Sequence, residues 1–185
     1  MPNWCSNYLV VEGPDSDEFI RKVTEIVEQE KTLLETLVPA SPDFFEEKVF
    51  DNGSTVSTYA EGGLNAVYEL WGTKWPDSEG YLSDRSYSFQ SPWGPPLQGI
   101  ARISKLYPQA IFSIAYEEGG MGFAGVNAFE NGEMVYEAET DFDSLVKHPG
   151  SDSTEEQDDE WMETIGQAVN DWLDNHQVES VEKYV

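Results

Sequence analysis

The chain has 185 residues, of which 39% are hydrophobic and 13% aromatic, enough apolar content to build a packed core. Its 36 Asp and Glu residues outnumber its 10 Lys and Arg residues, giving a formal net charge of −26. This charge opposes binding to DNA, RNA or an anionic membrane surface, because all three are polyanions, and it favours a basic protein partner. Solubility or life at high salt would also explain the acidity, so both explanations stay open here.

The first predicted elements are a strand and a helix. The apolar run NYLVVEG is typical of a strand that ends at Gly13. Asp15 or Ser16 can cap the following helix. Its apolar positions recur at helical spacing and are Phe19, Ile20, Val23, Ile26 and Val27. The only cysteine, Cys5, excludes a disulfide framework and is predicted to be a small buried side chain.

The middle of the chain is less regular. The stretch VFDNGSTVSTY predicts a hairpin that turns at Asn52-Gly53, or an excursion from the core. The segments AVYELW (66–71) and YSFQ (87–90) are predicted strands. Pro95 or Pro96 can start a helix that ends at Pro108. One face of that helix carries Leu97, Ile100, Ile103, Leu106 and Tyr107.

The last third carries the clearest local signals. AIFSIAY (110–116) is predicted to be a central strand, and two strand-like runs flank Asn131-Gly132, which is a strong hairpin signal. A polar linker follows, in which Ser153 and Glu156 are predicted to form a capping box. The helix beyond it has an apolar stripe that should dock it on the body of the protein: Trp161, Ile165, Val169, Trp172 and Leu173.

This element order predicts an α+β protein with a ferredoxin-like βαββαβ core. We expect an antiparallel sheet with helices on one face, extended by a β-hairpin and an acidic C-terminal helix. Residues 1–145 are assigned to the ferredoxin-like domain, with an insertion near 40–64. Residues 146–185 are assigned to an acidic linker and the C-terminal helix, docked on the domain.

Four motifs together carry a resemblance to a known family. They are MPNWCSN (1–7), LWGTKW (70–75), FQSPWGPP (89–96) and YEEGGMGFAG (116–125). In these motifs the chain resembles the YubB-like family of phage and conjugative-plasmid proteins. The resemblance implies a ferredoxin-like domain and a mobile-element origin, and it supplies no catalytic residues. Residues 40–64 and the acidic helix after Gly150 have no counterpart in it.

The last of these motifs contains Gly120, Gly122 and Gly125 at the spacing of a dinucleotide-binding loop. Such a loop must open a helix, so that the pyrophosphate meets the helix N-terminus. Here a hairpin follows, and Glu117 and Glu118 stand before the glycines, where they would repel phosphate. We therefore predict a tight bend between two strands.

No catalytic constellation stands out along the chain. The G-x-S-x-G elbow of a hydrolase is absent from the sequence, and Cys5 has no cationic neighbour in sequence to favour a thiolate. The only histidines, His148 and His176, lie in late polar segments. We therefore expect a protein that is not an enzyme, with no catalytic residue, metal or cofactor.

Aromatic residues at predicted strand ends allow two interpretations. They pack together and fix the sheet edge, or they line a pocket for a peptide or small ligand at the Trp71/Trp93 end of the sheet. The residues of this alternative pocket are Trp71, Lys74, Trp75, Trp93, Met121 and Phe123.

Acidic residues are densest late in the chain, where eleven fall between positions 137 and 163 beside one basic residue, Lys147. Carboxylates displayed on a hairpin and a helix can imitate a phosphate track and attract a basic DNA-binding groove. The predicted partner surface consists of Glu137, Glu139, Asp141, Asp143, Glu155, Glu156, Asp158, Asp159, Glu160 and Glu163. We expect a cytoplasmic DNA mimic that binds a basic, nucleic-acid-binding protein and neither nucleic acid nor membrane. The sequence leaves its oligomeric state open.

Overall fold

The structure is a computed structural model that describes residues 3–182. Met1 and Pro2 of the MPNWCSN motif and residues 183–185 of the predicted C-terminal segment lie outside the described residues. In chain order the elements are β1 Trp4–Glu12, α1 Ser16–Glu28, α2 Leu33–Leu37, β2 Phe45–Val49, β3 Thr55–Tyr59, α3 Gly63–Trp71, β4 Ser78–Ser83, β5 Ser86–Pro92, α4 Leu97–Ser104, β6 Ile111–Glu118, β7 Phe123–Glu130, β8 Glu133–Asp141, α5 Phe142–Leu145 and α6 Glu155–Val181.

The main sheet confirms the predicted ferredoxin-like fold. Its six strands lie in the order β4-β5-β1-β6-β7-β8, and every neighbouring pair is antiparallel. The succession β1-α1-β4-β5-α4-β6 is the βαββαβ unit of that fold. The hairpin of β7 and β8, which turns at Asn131-Gly132 as predicted, extends the sheet beyond β6.

One side of the sheet, here called the front face, carries the main core. Alternate residues of β1 point to this side because side chains alternate along a strand, and among them Leu9 and Val11 are buried. They pack with Phe19 and Val23 of α1 and with Ile100 of α4. The apolar spacing along each helix therefore faces the sheet, as the sequence predicts.

The opposite side, here called the back face, is covered in part by α6. Ile165 and Val169 pack with Ala124 of β7, and Val181 packs at the other end of the sheet. A side-chain hydrogen bond joins Ser180 of α6 to Ser113 of β6, with 2.6 Å between the two oxygens. Helices thus lie on both faces: α1 and α4 on the front face, and α6 on the back face.

Asp77 ties the segment between α1 and β4 to the sheet. Its buried carboxylate accepts hydrogen bonds from the backbone N–H groups of Leu33 and Leu34, each at 2.8 Å, and from the Tyr87 hydroxyl at 3.0 Å. Burial raises the pKa of this carboxyl group. The separate hairpin of β2 and β3 belongs to the same segment and is largely exposed.

Two local predictions are wrong. The segment AVYELW is the second part of α3, a helix with Gly62 and Gly72 as its flanking cap residues, both at positive φ. The strand that pairs with β5 is instead Ser78–Ser83, which lacks a clear apolar alternation. The capping box of α6 is shifted by one residue, because Thr154 and Gln157 form it instead of Ser153 and Glu156.

None of the described helices combines the length and the apolar character needed to cross a membrane.

Candidate functional site

The glycine-rich motif forms the turn between β6 and β7, as predicted. The buried carboxylate of Glu118 accepts hydrogen bonds from the backbone N–H groups of Gly120 at 2.7 Å and Met121 at 2.8 Å. Gly122 takes a positive φ of 70° and closes the turn. Two N–H groups that could meet a phosphate are therefore already bound to an internal carboxylate, and a strand follows them instead of a helix.

Three residues of the predicted aromatic pocket form a cluster at the end of β5. The Trp75 and Trp93 rings have centroids 5.3 Å apart. The Lys74 ammonium group lies 5.2 Å from the Trp75 ring and 5.4 Å from the Trp93 ring, which is within the range of a cation–π interaction. Trp93 is 43% exposed, so this aromatic cluster (Lys74, Trp75, Trp93) presents an open ring surface.

Trp71 lies in the main core instead, only 2% exposed. Its indole N–H donates a hydrogen bond to the Val38 carbonyl at 2.7 Å. Met121 and Phe123 lie on and beside the β6–β7 turn, at the same end of the sheet as Trp93. The structure thus keeps Lys74, Trp75 and Trp93 together and separates Trp71 from them.

The predicted acidic surface is divided between the two faces of the sheet. Glu137 and Glu139 of β8 pair with front-face residues of β7, and Glu139 accepts a hydrogen bond from the front-face Tyr116 hydroxyl at 2.9 Å. Asp141 accepts from the backbone N–H and the hydroxyl of Ser144, and these hydrogen bonds lower the pKa of its carboxyl group. Glu137 and Glu139 are therefore separated from the α6 carboxylates by the sheet, whereas α5, which carries Asp143, packs against the first half of α6.

The acidic residues of α6 that belong to the predicted partner surface all lie in the first half of the helix. Five of them are exposed and Asp158 is half-buried; the group consists of Glu155, Glu156, Asp158, Asp159, Glu160 and Glu163. Trp161 fixes this end of the helix, because its indole N–H donates to the Val146 carbonyl at 3.1 Å. The Nε2 atom of His148 lies 3.9 Å from the Asp158 carboxylate.

A cleft on the back face was missed by sequence reasoning. It lies between α6 and the part of the sheet that α6 leaves open, has a volume of about 430 Å³, and includes Ser6, Tyr8, Glu117 and Asp174 in its lining. The alternation of buried and exposed residues along β1 shows that Ser6 and Tyr8 point away from the main core. This alternation does not indicate where α6, which is distant in sequence, packs on the sheet.

Cys5 is buried, and its surroundings oppose nucleophilic chemistry. Burial raises the pKa of the thiol from 9.0 to about 12, despite a hydrogen bond with Ser91 that acts in the other direction. Residues 3–182, the part that the structure describes, contain no group of three or more His, Cys, Asp or Glu side chains placed to hold a metal ion.

Comparison with known proteins identifies a family. A family model described as a ferredoxin-like domain in Api92-like protein matches residues 70–165. The crystal structure of a protein Api92 from Yersinia pseudotuberculosis is 12% identical over 76% of this chain and 98% of its own, with a TM-score of 0.46. No curated protein matches the chain significantly.

Proposed function

The chain belongs to the family of Api92-like proteins with a ferredoxin-like domain, and we propose that it is a non-catalytic interaction protein that acts as a DNA mimic. Its partner is a basic, nucleic-acid-binding protein, whose DNA site receives the first half of α6. From the resemblance to YubB-like phage and plasmid proteins we infer a mobile-element origin. A host defence protein in the cytoplasm is then the expected partner.

The observation that carries this proposal is the charge density of α6. Its first half holds six carboxylates between Glu155 and Glu163. At a helical rise of 1.5 Å per residue, they fall within about 12 Å of helix axis, or about 2 Å per charge. Duplex DNA carries one charge per about 1.7 Å of its axis. A basic groove that accommodates DNA therefore meets a comparable charge density on this helix.

Helix capping explains only part of this group. Negative charge near a helix N-terminus is stabilised by the helix dipole, but the effect fades within the first turn. Glu155, Glu156 and Asp158 lie in that turn, whereas Asp159, Glu160 and Glu163 lie beyond it. None of the carboxylates of these last three residues has a hydrogen bond or an ion pair with another described residue. Their repulsion has no internal compensation, which supports an external basic partner.

The test is capture of partners from a bacterial lysate by the whole protein and by two variants of equal net charge. The first variant neutralises exposed carboxylates of α6, each replaced by its amide: Glu155, Glu156, Asp159, Glu160 and Glu163. The second neutralises five exposed carboxylates elsewhere: Glu28, Glu47, Asp51, Glu61 and Glu69. Captured proteins are identified by mass spectrometry and then tested for binding to duplex DNA.

Mimicry predicts a captured DNA-binding protein that duplex DNA displaces and that high salt releases, because the contact is electrostatic. The α6 variant loses this capture and the second variant keeps it. Equal loss of capture in both variants would mean that the interaction depends on net charge and not on the carboxylates of α6. Capture of DNA-binding proteins that DNA does not displace would contradict mimicry, and so would a failure to capture any at low salt.

The aromatic cluster supports a second candidate function, the binding of a peptide or small ligand. The supporting observation is that Lys74 lies against two tryptophan rings while the Trp93 ring stays 43% exposed. Exposed aromatic rings with a few polar groups are common in binding surfaces. Trp93→Ala should abolish ligand capture without unfolding the protein. Retained capture by this folded variant would remove the candidate.

A further inference from the structure

The back-face cleft is built by two rows of the sheet and one side of α6. Gln90, Ser6 and Glu117 are cross-strand neighbours on β5, β1 and β6, and the row of Ser88, Tyr8 and Ala115 lies beside them. The wall consists of Asn170, Leu173, Asp174 and Gln177 of α6. At about 430 Å³ the cleft has the size of a small-molecule site.

Gln177 contributes a side-chain amide to the lining of this cleft. Its side-chain N–H₂ group donates to the Tyr8 carbonyl at 3.1 Å and to the Ser113 carbonyl at 3.3 Å. Two carbonyl acceptors fix the orientation of the amide, because only the nitrogen can donate to them. The amide oxygen has no donor among the described residues and is open to solvent, because none of the described buried side-chain N or O atoms lacks a partner. A ligand with an N–H group would satisfy it.

Glu117 adds a negative charge to the same lining. Its half-buried side chain has no hydrogen bond or ion pair with a described residue, and burial raises the pKa of the carboxyl group. Asp174 stands exposed on the helical wall. The described lining residues include no Lys, Arg or His. The cleft thus offers acceptors and negative charge with no internal cation to neutralise them.

Tyr8 supplies the apolar surface. Its ring is 43% exposed and lies in the row next to Ser6 and Glu117. A cation is attracted to the face of an aromatic ring, and an alkyl chain packs against it. An open sheet face with aromatic rings could also stack nucleic-acid bases, but Glu117 and Asp174 would repel the phosphates.

We propose that this cleft binds a small organic cation that bears an ammonium or guanidinium group. The charged group donates to Glu117 and to the amide oxygen of Gln177, and the rest of the ligand lies against Tyr8 and Leu173. This inference is independent of the proposed DNA mimicry, because it uses the second half of α6 and the sheet. Either can fail without the other.

The test is a calorimetric titration of the full chain with 1,4-diaminobutane and with argininamide, which separate ammonium from guanidinium recognition. Salt at 0.15 M limits general attraction to the net charge, because it shortens the range of exposed charges to about 8 Å. The neutral 1,4-butanediol is the matched control ligand. We expect saturable binding with one site per chain for at least one cation and none for the diol.

Variants locate the site. Glu117→Gln removes the charge but keeps the shape, and should weaken binding about tenfold or more, since a charge-assisted hydrogen bond is lost. Glu61→Gln removes an exposed charge outside the cleft and outside the acidic group of α6, and should leave the affinity unchanged. If Glu117→Gln fails to fold, Tyr8→Ala replaces it, because the Tyr8 ring is outside the core.

Three results would overturn the proposal: no saturable binding of either cation, equal weakening by Glu117→Gln and Glu61→Gln, or equal binding of the diol. A single-stranded oligonucleotide that binds the whole protein, and loses its affinity in Tyr8→Ala, would also overturn it in favour of a nucleic-acid surface.

Discussion

The phenol ring of Tyr116 crosses Gly125 to reach Glu139. The three residues are cross-strand neighbours on β6, β7 and β8. The Tyr116 hydroxyl lies 2.9 Å from the Glu139 carboxylate and 3.0 Å from the side-chain oxygen of Asn127. A Cβ atom on Gly125 would lie 2.3 Å from the ring. Gly125 is thus required by the ring that occupies its side-chain space.

We predict that Gly125→Ala destabilises the protein by about 1–3 kcal/mol, the usual cost of overpacking a filled site. The control in the same motif is Gly119→Ala, because a Cβ there meets no atom within 4 Å. Urea unfolding of both variants measures the difference. In a Tyr116→Ala background the Gly125→Ala exchange should cost much less, and an undiminished cost would mean that the ring is not the obstacle.

The adjacent residues Glu117 and Glu118 should respond differently to the same substitution. Glu118→Gln leaves at least one of the Gly120 and Met121 N–H groups facing another donor, so we expect a loss of about 1–3 kcal/mol. Glu117→Gln should be neutral or slightly stabilising, because it removes an unpaired, half-buried charge. Thermal unfolding compares the two, and amide hydrogen exchange should accelerate at Gly120 or Met121 in Glu118→Gln and at neither in Glu117→Gln. Equal effects would contradict the assigned role of Glu118.

Turn residues and apolar spacing predicted many of the helices and strands correctly, because these elements depend on residues that are close in sequence. Asn131-Gly132 closes the predicted hairpin, and Phe19 and Val23 follow a helical period that ends in the core. The strand prediction for AVYELW was wrong because Ala66, Tyr68 and Leu70 alternate as in a strand. The two buried residues of this segment, Val67 and Trp71, are four positions apart, which is the spacing of a helix. The flanking Gly62 and Gly72 were the signal that could have identified the helix.

The missed features depend on distant pairing. Ser78–Ser83 is a strand because β5 pairs with it; its own Ser, Glu and Gly residues do not favour one. The back-face cleft needs α6 to lie across the sheet, where Gln177 and Ser180 contact Ser113 of β6, more than sixty positions earlier in the chain. Periodicity along a single element carries no information on such placement.

Alanine substitutions at Trp71 and Trp93 should have different effects on stability, because Trp71 is a core residue and Trp93 is partly exposed. Trp71→Ala removes a fully packed core side chain and leaves the Val38 carbonyl without its indole donor, so we expect a loss of about 3–5 kcal/mol. Trp93→Ala should cost about 1 kcal/mol or less, because its ring is partly exposed. Chemical denaturation of both variants measures these losses. A large loss in Trp93→Ala would mean that the aromatic cluster is a structural support.

The thiol of Cys5 should be unreactive in the folded protein. Burial raises its pKa to about 12, so at pH 8 almost no thiolate is present. Burial also keeps reagents in solution from reaching the sulfur. A thiol-specific chromogenic reagent at pH 8 should therefore modify the chain only in denaturant. The engineered variant Ser151→Cys, at an exposed position, provides the reactive control after Cys5→Ala has removed the native thiol.

The same shift predicts a pH dependence of stability. The folded pKa of Cys5 is raised above its ordinary value of 9.0, so the folded state retains the thiol proton over a range where the unfolded state loses it. The stabilising contribution is complete below pH 9 and is lost as the pH rises towards about 12. Cys5→Ala lacks this contribution, so the stability difference between wild type and Cys5→Ala should shrink from pH 8 to pH 11 in urea unfolding. A constant difference would mean that Cys5 does not titrate differently on folding.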